Sequence, residues 1–271
     1  MQILALANQK GGCGKTTVAI NLASALAARG ERVLLVDLDP QAHASLGLGQ
    51  ADFSAASIAD VLCEGLPLSK VARKLAHGFE LVPGSLRVGE FEELAARRLG
   101  PERVLEGALR EVEGMYDWVI LDCPTRADGL LAINAIRAST LVVLVVETGT
   151  FALQGAVRAQ QLFVDLAAEC EREIDMCVLA TLFDPTRALA REILIGMQAR
   201  FGDAMFDTVI QVSDVAREAT AYGMPVDALA PTSLVTRQFA ALAHEFCELK
   251  DQRMREIPRG PLSWPLLEPI V

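Results

Sequence analysis

The glycine-rich stretch at residues 9–17, QKGGCGKTT, contains the residues best suited to bind phosphate. It follows a short apolar run and precedes an Ala- and Leu-rich segment, which is the strand–loop–helix context that a phosphate-binding loop requires. Glycines let backbone N–H groups close around phosphate oxygens, and the following helix directs its N-terminus at the same anion. The predicted cofactor-binding residues are Gly11, Gly12, Cys13, Gly14, Lys15, Thr16 and Thr17.

Two side chains of this loop are suited to act on a nucleotide. Lys15 supplies a mobile positive charge for the β- and γ-phosphates, and the Thr16 hydroxyl is placed to ligate Mg²⁺. The common pattern of glycine, four residues and GK[ST] is not met, because residue 9 is Gln; an additional lysine, Lys10, precedes the paired glycines. The chain has only five lysines and two of them lie within six residues here, which argues against a chance glycine-rich turn.

The elements that must position this loop are indicated by hydrophobic patterning. Continuous apolar runs predict strands at residues 3–7, 33–36, 79–82, 118–121, 141–146 and 176–180. Helical periodicity predicts helices at about 16–29, 57–62, 69–76, 89–99, 101–112, 127–138, 150–170, 186–201 and 233–255. Strands that are apolar at every position are buried on both faces. We therefore expect one α/β domain, a doubly wound and mostly parallel sheet flanked by helices.

Composition excludes several classes of protein. With 271 residues, 52% hydrophobic and 22% charged, the chain is not disordered, and no apolar run reaches the length of a membrane span. The first residues lack the features of a signal peptide, so we expect a cytoplasmic protein whose six cysteines are reduced thiols. A net charge of −10 disfavours extensive nucleic-acid binding but leaves a local basic patch open.

The last residues differ from the rest in composition. Prolines recur at 258, 261, 265 and 269, with apolar residues between them, and this spacing excludes a helix. We expect a domain at residues 1–250 and a proline-rich tail at 251–271, which either straps onto the domain or docks on a partner.

The loop sequence KGGCGKTT resembles the deviant Walker A motif of the MinD/ParA family of P-loop ATPases. Further segments are similar to that family: VLLVDLDPQAHASLGLG, FELVPGS, YDWVILDCPTRADGLLAINAIRAS, ATLFDPTRALAREI and TVIQVSDVAREATAYGMPV. The DLDPQ segment is most similar to the ParA/Soj branch. The resemblance implies a P-loop NTPase fold, ATP and Mg²⁺ as cofactors, and ATP-dependent homodimers.

The resemblance also implies roles for individual residues. Lys10 would reach across the dimer to the partner's phosphates, and Gly11 and Gly12 would keep the seam free of side chains. Asp39 would position or activate the attacking water, so the implied catalytic residues are Lys10, Lys15 and Asp39. The implied metal site consists of Thr16, Asp122 and Asp37. Asp122 would hold Mg²⁺ through a water, and Asp37 would lie near the metal without binding it directly.

Two further sites are implied less directly. The adenine pocket would lie at Ile210, Gln211 and Val212, although the family's usual Pro-Arg-Asn at 211–213 is absent, so only the location carries over. DNA contacts in ParA relatives come from late helices, where the candidates are Arg187, Arg191 and Arg217. Residues 181–219 hold four arginines against six acids, a weak footprint for DNA.

The expected function is that of an ATP-dependent dimerising switch, a slow ATPase that positions a chromosome, plasmid or protein assembly. We expect a stimulating protein partner, and non-specific DNA binding that would associate the protein with the nucleoid. The alternative is a regulator of a secretion, pilus or cellulose machine that acts through protein partners without DNA. A metabolic P-loop synthase is a further alternative; an iron–sulfur reductase and membrane recruitment fit poorly.

Overall fold

The sequence folds into alternating strands and helices, seen in a computed structural model that describes residues 1–50, 52, 54–95, 99–125, 129–169 and 174–255. The strands are β1 (Gln2–Ala7), β2 (Val33–Asp37), β3 (Arg73–Lys74), β4 (Glu80–Val82), β5 (Trp118–Asp122), β6 (Leu141–Glu147) and β7 (Asp175–Thr181). The helices are α1 (Lys15–Ala28), α2 (His43–Gly47), α3 (Ile58–Glu64), α4 (Leu68–Val71), α5 (Val88–Ala95), α6 (Val104–Arg110), α7 (Leu130–Ala138), α8 (Ala152–Glu169), α9 (Ala188–Phe201), α10 (Asp214–Ala221), α11 (Val226–Leu229) and α12 (Leu234–Arg255).

The seven strands form one sheet in the order β3-β4-β2-β5-β1-β6-β7. All neighbouring pairs are parallel except β3 with β4. The chain turns from β1 to one side of the sheet through β5 and β2, and to the other side through β6 and β7. The predicted doubly wound, mostly parallel sheet is therefore confirmed, and its reversal point lies at β1, where ligands of such sheets bind.

Two hydrophobic layers cover the sheet because alternate residues of each strand face opposite sides. On one face, Leu4 and Leu6 of β1 pack with α1, α2, α10, α11 and α12. On the other face, Ala5 and Ala7 pack with α3 to α9. Since both faces are covered, the strands other than β3 are buried along nearly their whole length, as their apolar sequences predicted.

The predicted helix at 69–76 is wrong in its second half. The structure has α4 at Leu68–Val71, after which Ala72 adopts an extended ψ of 131° and the chain continues as β3, antiparallel to β4. Gly78, with φ of 84°, closes the connecting turn. Pairing with β4 satisfies backbone groups that a further helical turn would have satisfied locally, and it covers one edge of the sheet.

Three short helices, α2, α10 and α11, were not predicted, and the predicted helix at 101–112 begins as a 3₁₀ turn at Pro101–Arg103.

The terminal helix α12 extends past residue 250 to Arg255. The proline-rich part of the tail, residues 256–271, lies outside the described residues, as do Cys170 and Arg126. Among the described residues, Cys13, Cys123 and Cys247 are free thiols. Within the described ranges, none of the helices is long and apolar enough to cross a bilayer.

Candidate functional site

The phosphate loop leaves the carboxyl end of β1 and leads into α1. Gly12 and Gly14 have φ values of 76° and 91°, a left-handed backbone that strongly favours glycine. Cys13 between them is fully buried, and its carbonyl accepts a hydrogen bond of 2.7 Å from Thr181 Oγ1 at the end of β7. The loop is therefore shaped to surround an anion at the N-terminus of α1, and a neighbouring strand holds it in place.

Lys15 is the buried cation of this loop, with 6% of its surface exposed. Its Nζ donates to the carbonyl oxygens of Asn8 at 3.2 Å and Lys10 at 3.3 Å. The ammonium therefore lies inside the curve of the loop, where a phosphate oxygen would meet it.

Two buried carboxylates lie side by side behind the loop, at the ends of β2 and β5. Asp37 and Asp122 are register partners with no exposed surface. Burial raises the pKa of Asp122 well above its usual range, and the neighbouring Asp37 raises it further. Burial also raises the pKa of Asp37, to about 6, although hydrogen bonds from Ser45 N at 2.8 Å and Ser45 Oγ at 2.7 Å oppose this shift.

The oxygens available around Asp122 fit a magnesium ion. Asp122 Oδ2 accepts a hydrogen bond from Thr16 Oγ1 at 2.8 Å, whereas its buried Oδ1 has no hydrogen-bond partner among the described residues. Both Asp37 oxygens already accept hydrogen bonds, so Asp37 is less available than Asp122 as a metal ligand. No cluster of three His, Cys, Asp or Glu side chains that could hold a metal occurs in the described ranges. Mg²⁺ commonly uses one or two protein oxygens plus phosphates and water, which matches this donor set.

Asp39 lies in a tight turn between β2 and α2. Its Oδ1 accepts a hydrogen bond from Gln41 N at 2.9 Å, and its carbonyl accepts one from Ala42 N at 2.8 Å. Ala42 has a left-handed φ of 52°, which turns the chain into α2 so that Asp39, Gln41 and His43 all line one cavity. The turn thus presents a carboxylate to the space in front of the loop.

That cavity, of about 790 Å³, brings most of the predicted site together. The phosphate loop, Asp39, Thr125 and the end of β7 line it, and so do Ile210 and Gln211 of the predicted adenine loop. Val212 is instead 45% exposed and outside the cavity wall. Ile210 is fixed to the end of β7 through its N–H, which donates to Ala180 O at 3.0 Å. The cavity is therefore lined both by the phosphate loop and by part of the predicted adenine loop.

Lys10 directly precedes the cavity-lining Gly11, and its side chain is half exposed. Its Nζ forms an ion pair with Glu147, the last residue of β6. The role expected from the resemblance, contact with phosphates of a second chain, stays a prediction.

The three arginines considered for DNA contact do not form one free basic patch. Arg187 pairs with Asp184 at 3.0 Å and Arg217 pairs with Asp214 at 2.9 Å. Arg191 donates to the carbonyl of Pro185. Arg217 lies on the wall of the nucleotide-sized cavity.

Sequence reasoning missed four residues that shape the site: Asn8, Ser45, Glu147 and Thr181. Glu147 and Thr181 each follow directly on a predicted apolar run, at 141–146 and 176–180. Extending each strand prediction by one polar residue would have found them, since sites of such sheets form at the carboxyl ends of strands. Asn8 follows the predicted run at 3–7 in the same way, whereas Ser45 had no comparable signal.

Comparisons with known proteins agree with this geometry. The AAA domain family matches residues 1–176. The chromosome-partitioning ATPase Soj of Thermus thermophilus is 38% identical over 244 residues, which cover 89% of this chain and 94% of that protein. The chromosome partitioning protein ParA of Caulobacter vibrioides is 33% identical over 231 residues, covering 83% and 86%. Among solved structures, cobyrinic acid a,c-diamide synthase from Mycobacterium smegmatis, with bound ATP analogue and magnesium, matches with a TM-score of 0.77 and 26% identity over 93% of this chain and 97% of that one.

Proposed function

This chain belongs to the MinD/ParA family of P-loop ATPases, and we propose that it is a slow Mg²⁺-dependent ATPase that acts as a switch. ATP binding drives two copies together, and hydrolysis, stimulated by a protein partner, separates them. The cycle partitions or positions an intracellular cargo such as a chromosome, a plasmid or a protein assembly. The names of the Soj and ParA relatives support this class of cargo.

One observation supports the ATPase chemistry above all others. Lys15, Thr16 and Asp39 line one cavity, and Thr16 donates a hydrogen bond to Asp122, whose buried Oδ1 has no hydrogen-bond partner among the described residues. Cation, metal ligands and a carboxylate near the reacting phosphate are the parts that phosphoryl transfer to water needs.

Each residue then has a role in hydrolysis. Lys15 neutralises charge on the β- and γ-phosphates, and the loop N–H groups orient them. Thr16 and Asp122 hold Mg²⁺, which supplies positive charge to the phosphate oxygens when bound. Asp39 orients the attacking water and takes its proton late in the transfer. Lys10, supplied by the partner, adds a cation where negative charge develops.

DNA binding by the ATP dimer is the finer part of the proposal. A dimer carries two copies of any basic patch, which supports DNA binding. The candidate contact residues are Arg187 and Arg191 at the start of α9. The acids paired with Arg187 and Arg217 instead favour the second candidate function, regulation of a secretion, pilus or cellulose machine through protein contacts. A paired arginine has less charge left to neutralise phosphate.

A metabolic synthase remains the third candidate, because the synthase structure shares this domain over 93% of the chain. Such an enzyme would transfer a phosphoryl group to a small acid substrate. ATP turnover that requires such a substrate would favour it over the switch.

The test is the ATPase rate per protein molecule, measured against protein concentration with and without DNA. A rate that rises with concentration is expected of a dimerising enzyme, and a further rise with DNA would support the nucleoid-binding form. A rate independent of concentration would contradict the switch.

Two variants make the result specific to this site. Lys15→Ala removes the buried cation and should abolish nucleotide binding. Asp39→Ala leaves the phosphate loop intact but removes the water-positioning carboxylate, so it should bind ATP, accumulate as a dimer on sizing chromatography and hydrolyse slowly.

A further inference from the structure

The ion pair between Lys10 and Glu147 joins two segments that are 137 residues apart. The Lys10 side chain, next to the cavity-lining Gly11 in the chain, is 50% exposed, and that of Glu147 at the end of β6 is 23% exposed. Within one chain the Lys10 ammonium therefore already has a carboxylate partner.

The surrounding backbone keeps these two side chains together. Asn8 Oδ1 accepts a hydrogen bond from Lys10 N at 2.9 Å, and Asn8 Nδ2 donates to Val145 O at 2.6 Å. The start of the loop is thus fastened to β6 two residues before Glu147. One buried amide fixes the distance between the backbones that carry the pair.

Gly149 provides the space that the Glu147 carboxylate occupies. A Cβ at residue 149 would lie 2.8 Å from Glu147 Oε1, too close for any real contact. Gly149 N also donates to Glu147 O at 2.9 Å, so the chain turns back directly after the strand. A larger residue at 149 would push the carboxylate away from its present position.

We propose that Glu147 is a positioning residue that holds Lys10 against its own subunit until a nucleotide-loaded partner displaces it. This inference rests on the proposed function, because the displacing group is the triphosphate held by the second copy. The ammonium cannot lie both on Glu147 and in the partner's loop, so closing the dimer breaks the pair. An exposed ion pair contributes little free energy, which makes it displaceable by a polyanion.

The first experiment tests the pair in the nucleotide-free chain. Without the carboxylate at its present position the Lys10 side chain is free to leave its own subunit, so we expect Glu147→Gln and Gly149→Ala to raise the rate at which an amine-reactive ester modifies Lys10 roughly two- to fivefold, as measured by peptide mass spectrometry. Lys70 and Lys74, both exposed, serve as internal references. An unchanged Lys10 rate in both variants would overturn the proposal.

The second experiment tests the consequence for assembly. With a non-hydrolysable ATP analogue, both variants should dimerise at a protein concentration roughly two- to fivefold lower than the wild type, because no carboxylate has to be displaced. Matched controls are Glu106→Gln, which breaks a distant exposed pair with Arg110, and Gly155→Ala, whose added Cβ meets no atom within 4 Å.

The outcomes separate this inference from the proposed function. If Lys10 becomes more reactive but the variants dimerise at the same or a higher concentration, Glu147 does not restrain assembly and the inference is overturned. If the wild type fails to dimerise with the analogue at any concentration, the switch itself is contradicted. If the two control variants also dimerise at an equally lowered protein concentration, the effect is a general one on stability, and the inference is overturned.

Discussion

At the scale of single residues, hydrogen bonds from outside the loop decide the shape of the phosphate site. Thr181 is the clearest case: it is 2% exposed, and its hydroxyl reaches the Cys13 carbonyl across 168 residues of sequence. The next residue, Leu182, has a left-handed φ of 50°, so the backbone accepts strain directly after this contact. Such strain is typical of positions that the surrounding structure holds for function.

Thr181→Val should weaken ATP binding roughly tenfold. Valine keeps the volume but removes the donor, which leaves the Cys13 carbonyl without this partner at a cost of about 1–3 kcal/mol. Affinity for a fluorescent ATP analogue, compared with the urea midpoint of the nucleotide-free protein, checks the prediction.

Thr181→Ser is the control, because it retains the hydroxyl and should bind ATP nearly as well as the wild type. Full affinity in the valine variant would mean that the loop keeps its shape without this bond.

At the scale of elements, the start of β2 and the start of β5 are joined by an ion pair with several bonds. Arg32 N and Nε donate to Asp117 Oδ2, both at 3.0 Å, and Arg32 Nη2 donates to Oδ1 at 2.9 Å. The Arg32 guanidinium therefore holds the pKa of Asp117 well below its usual range. A carboxyl whose pKa is lower in the folded state stabilises the fold above its unfolded pKa, and this contribution is lost as the pH falls.

Asp117→Asn should accordingly lower the free energy of unfolding by roughly 1 kcal/mol at pH 7, since Arg32 is more than half exposed and solvent screens the pair. The difference from the wild type should persist down to about pH 5 and narrow below about pH 4. Urea unfolding of both proteins between pH 7 and pH 3.5 measures it. A difference that grows with acidity would contradict the assignment.

The larger elements were predictable because burial imposes a pattern on them. The six predicted strands are all present, because a continuous apolar run such as Leu141–Val146 is buried on both faces when it forms a central strand. The strand β3 was not predictable, because Arg73 and Lys74 are polar and their pairing depends on β4 and the Gly78 turn. Edge strands of this kind depend on tertiary contacts more than on their own residues.

The residues of the functional site also fall into those predictable from the local sequence and those placed by tertiary contacts. The phosphate loop follows from its own sequence, because glycine spacing and the following helix are local properties. The pairing of Lys10 with Glu147 on β6 and of Thr181 on β7 with Cys13 depends on the order of the strands, which is a property of the assembled sheet. The position of Arg217 on the cavity wall likewise follows from the packing of α10 near α2.

At the scale of the whole molecule, α12 closes the hydrophobic layer over α1. Phe246 is fully buried and contacts Phe206 and Trp118, with ring centroids 4.6 and 6.0 Å apart. Lys250 lies 5.2 Å from the Trp118 ring and pairs with Glu31 at 2.7 Å. The last helix is therefore part of the domain and not an appendage.

Removing residues 256–271 should leave the melting temperature and ATP binding unchanged, if the proline-rich segment is a separate tail. Phe246→Ala, the matched test of α12 itself, should lower the free energy of unfolding by about 3–5 kcal/mol. Thermal unfolding of the two variants checks both expectations. A marked loss of stability on removing 256–271 would show that this segment straps onto the domain.

The contact of Lys250 with Trp118 has a practical meaning. Trp118 is the first residue of β5 and Gln2 the first of β1. Met1 and the end of α12 therefore both lie at the amino-terminal ends of the parallel strands, opposite to the phosphate loop. An affinity tag or sensor-chip tether attached before Met1 would leave the nucleotide face turned toward the bulk solution. Surface-based detection of a second copy, or of a cargo adaptor, would therefore meet an unobstructed nucleotide face.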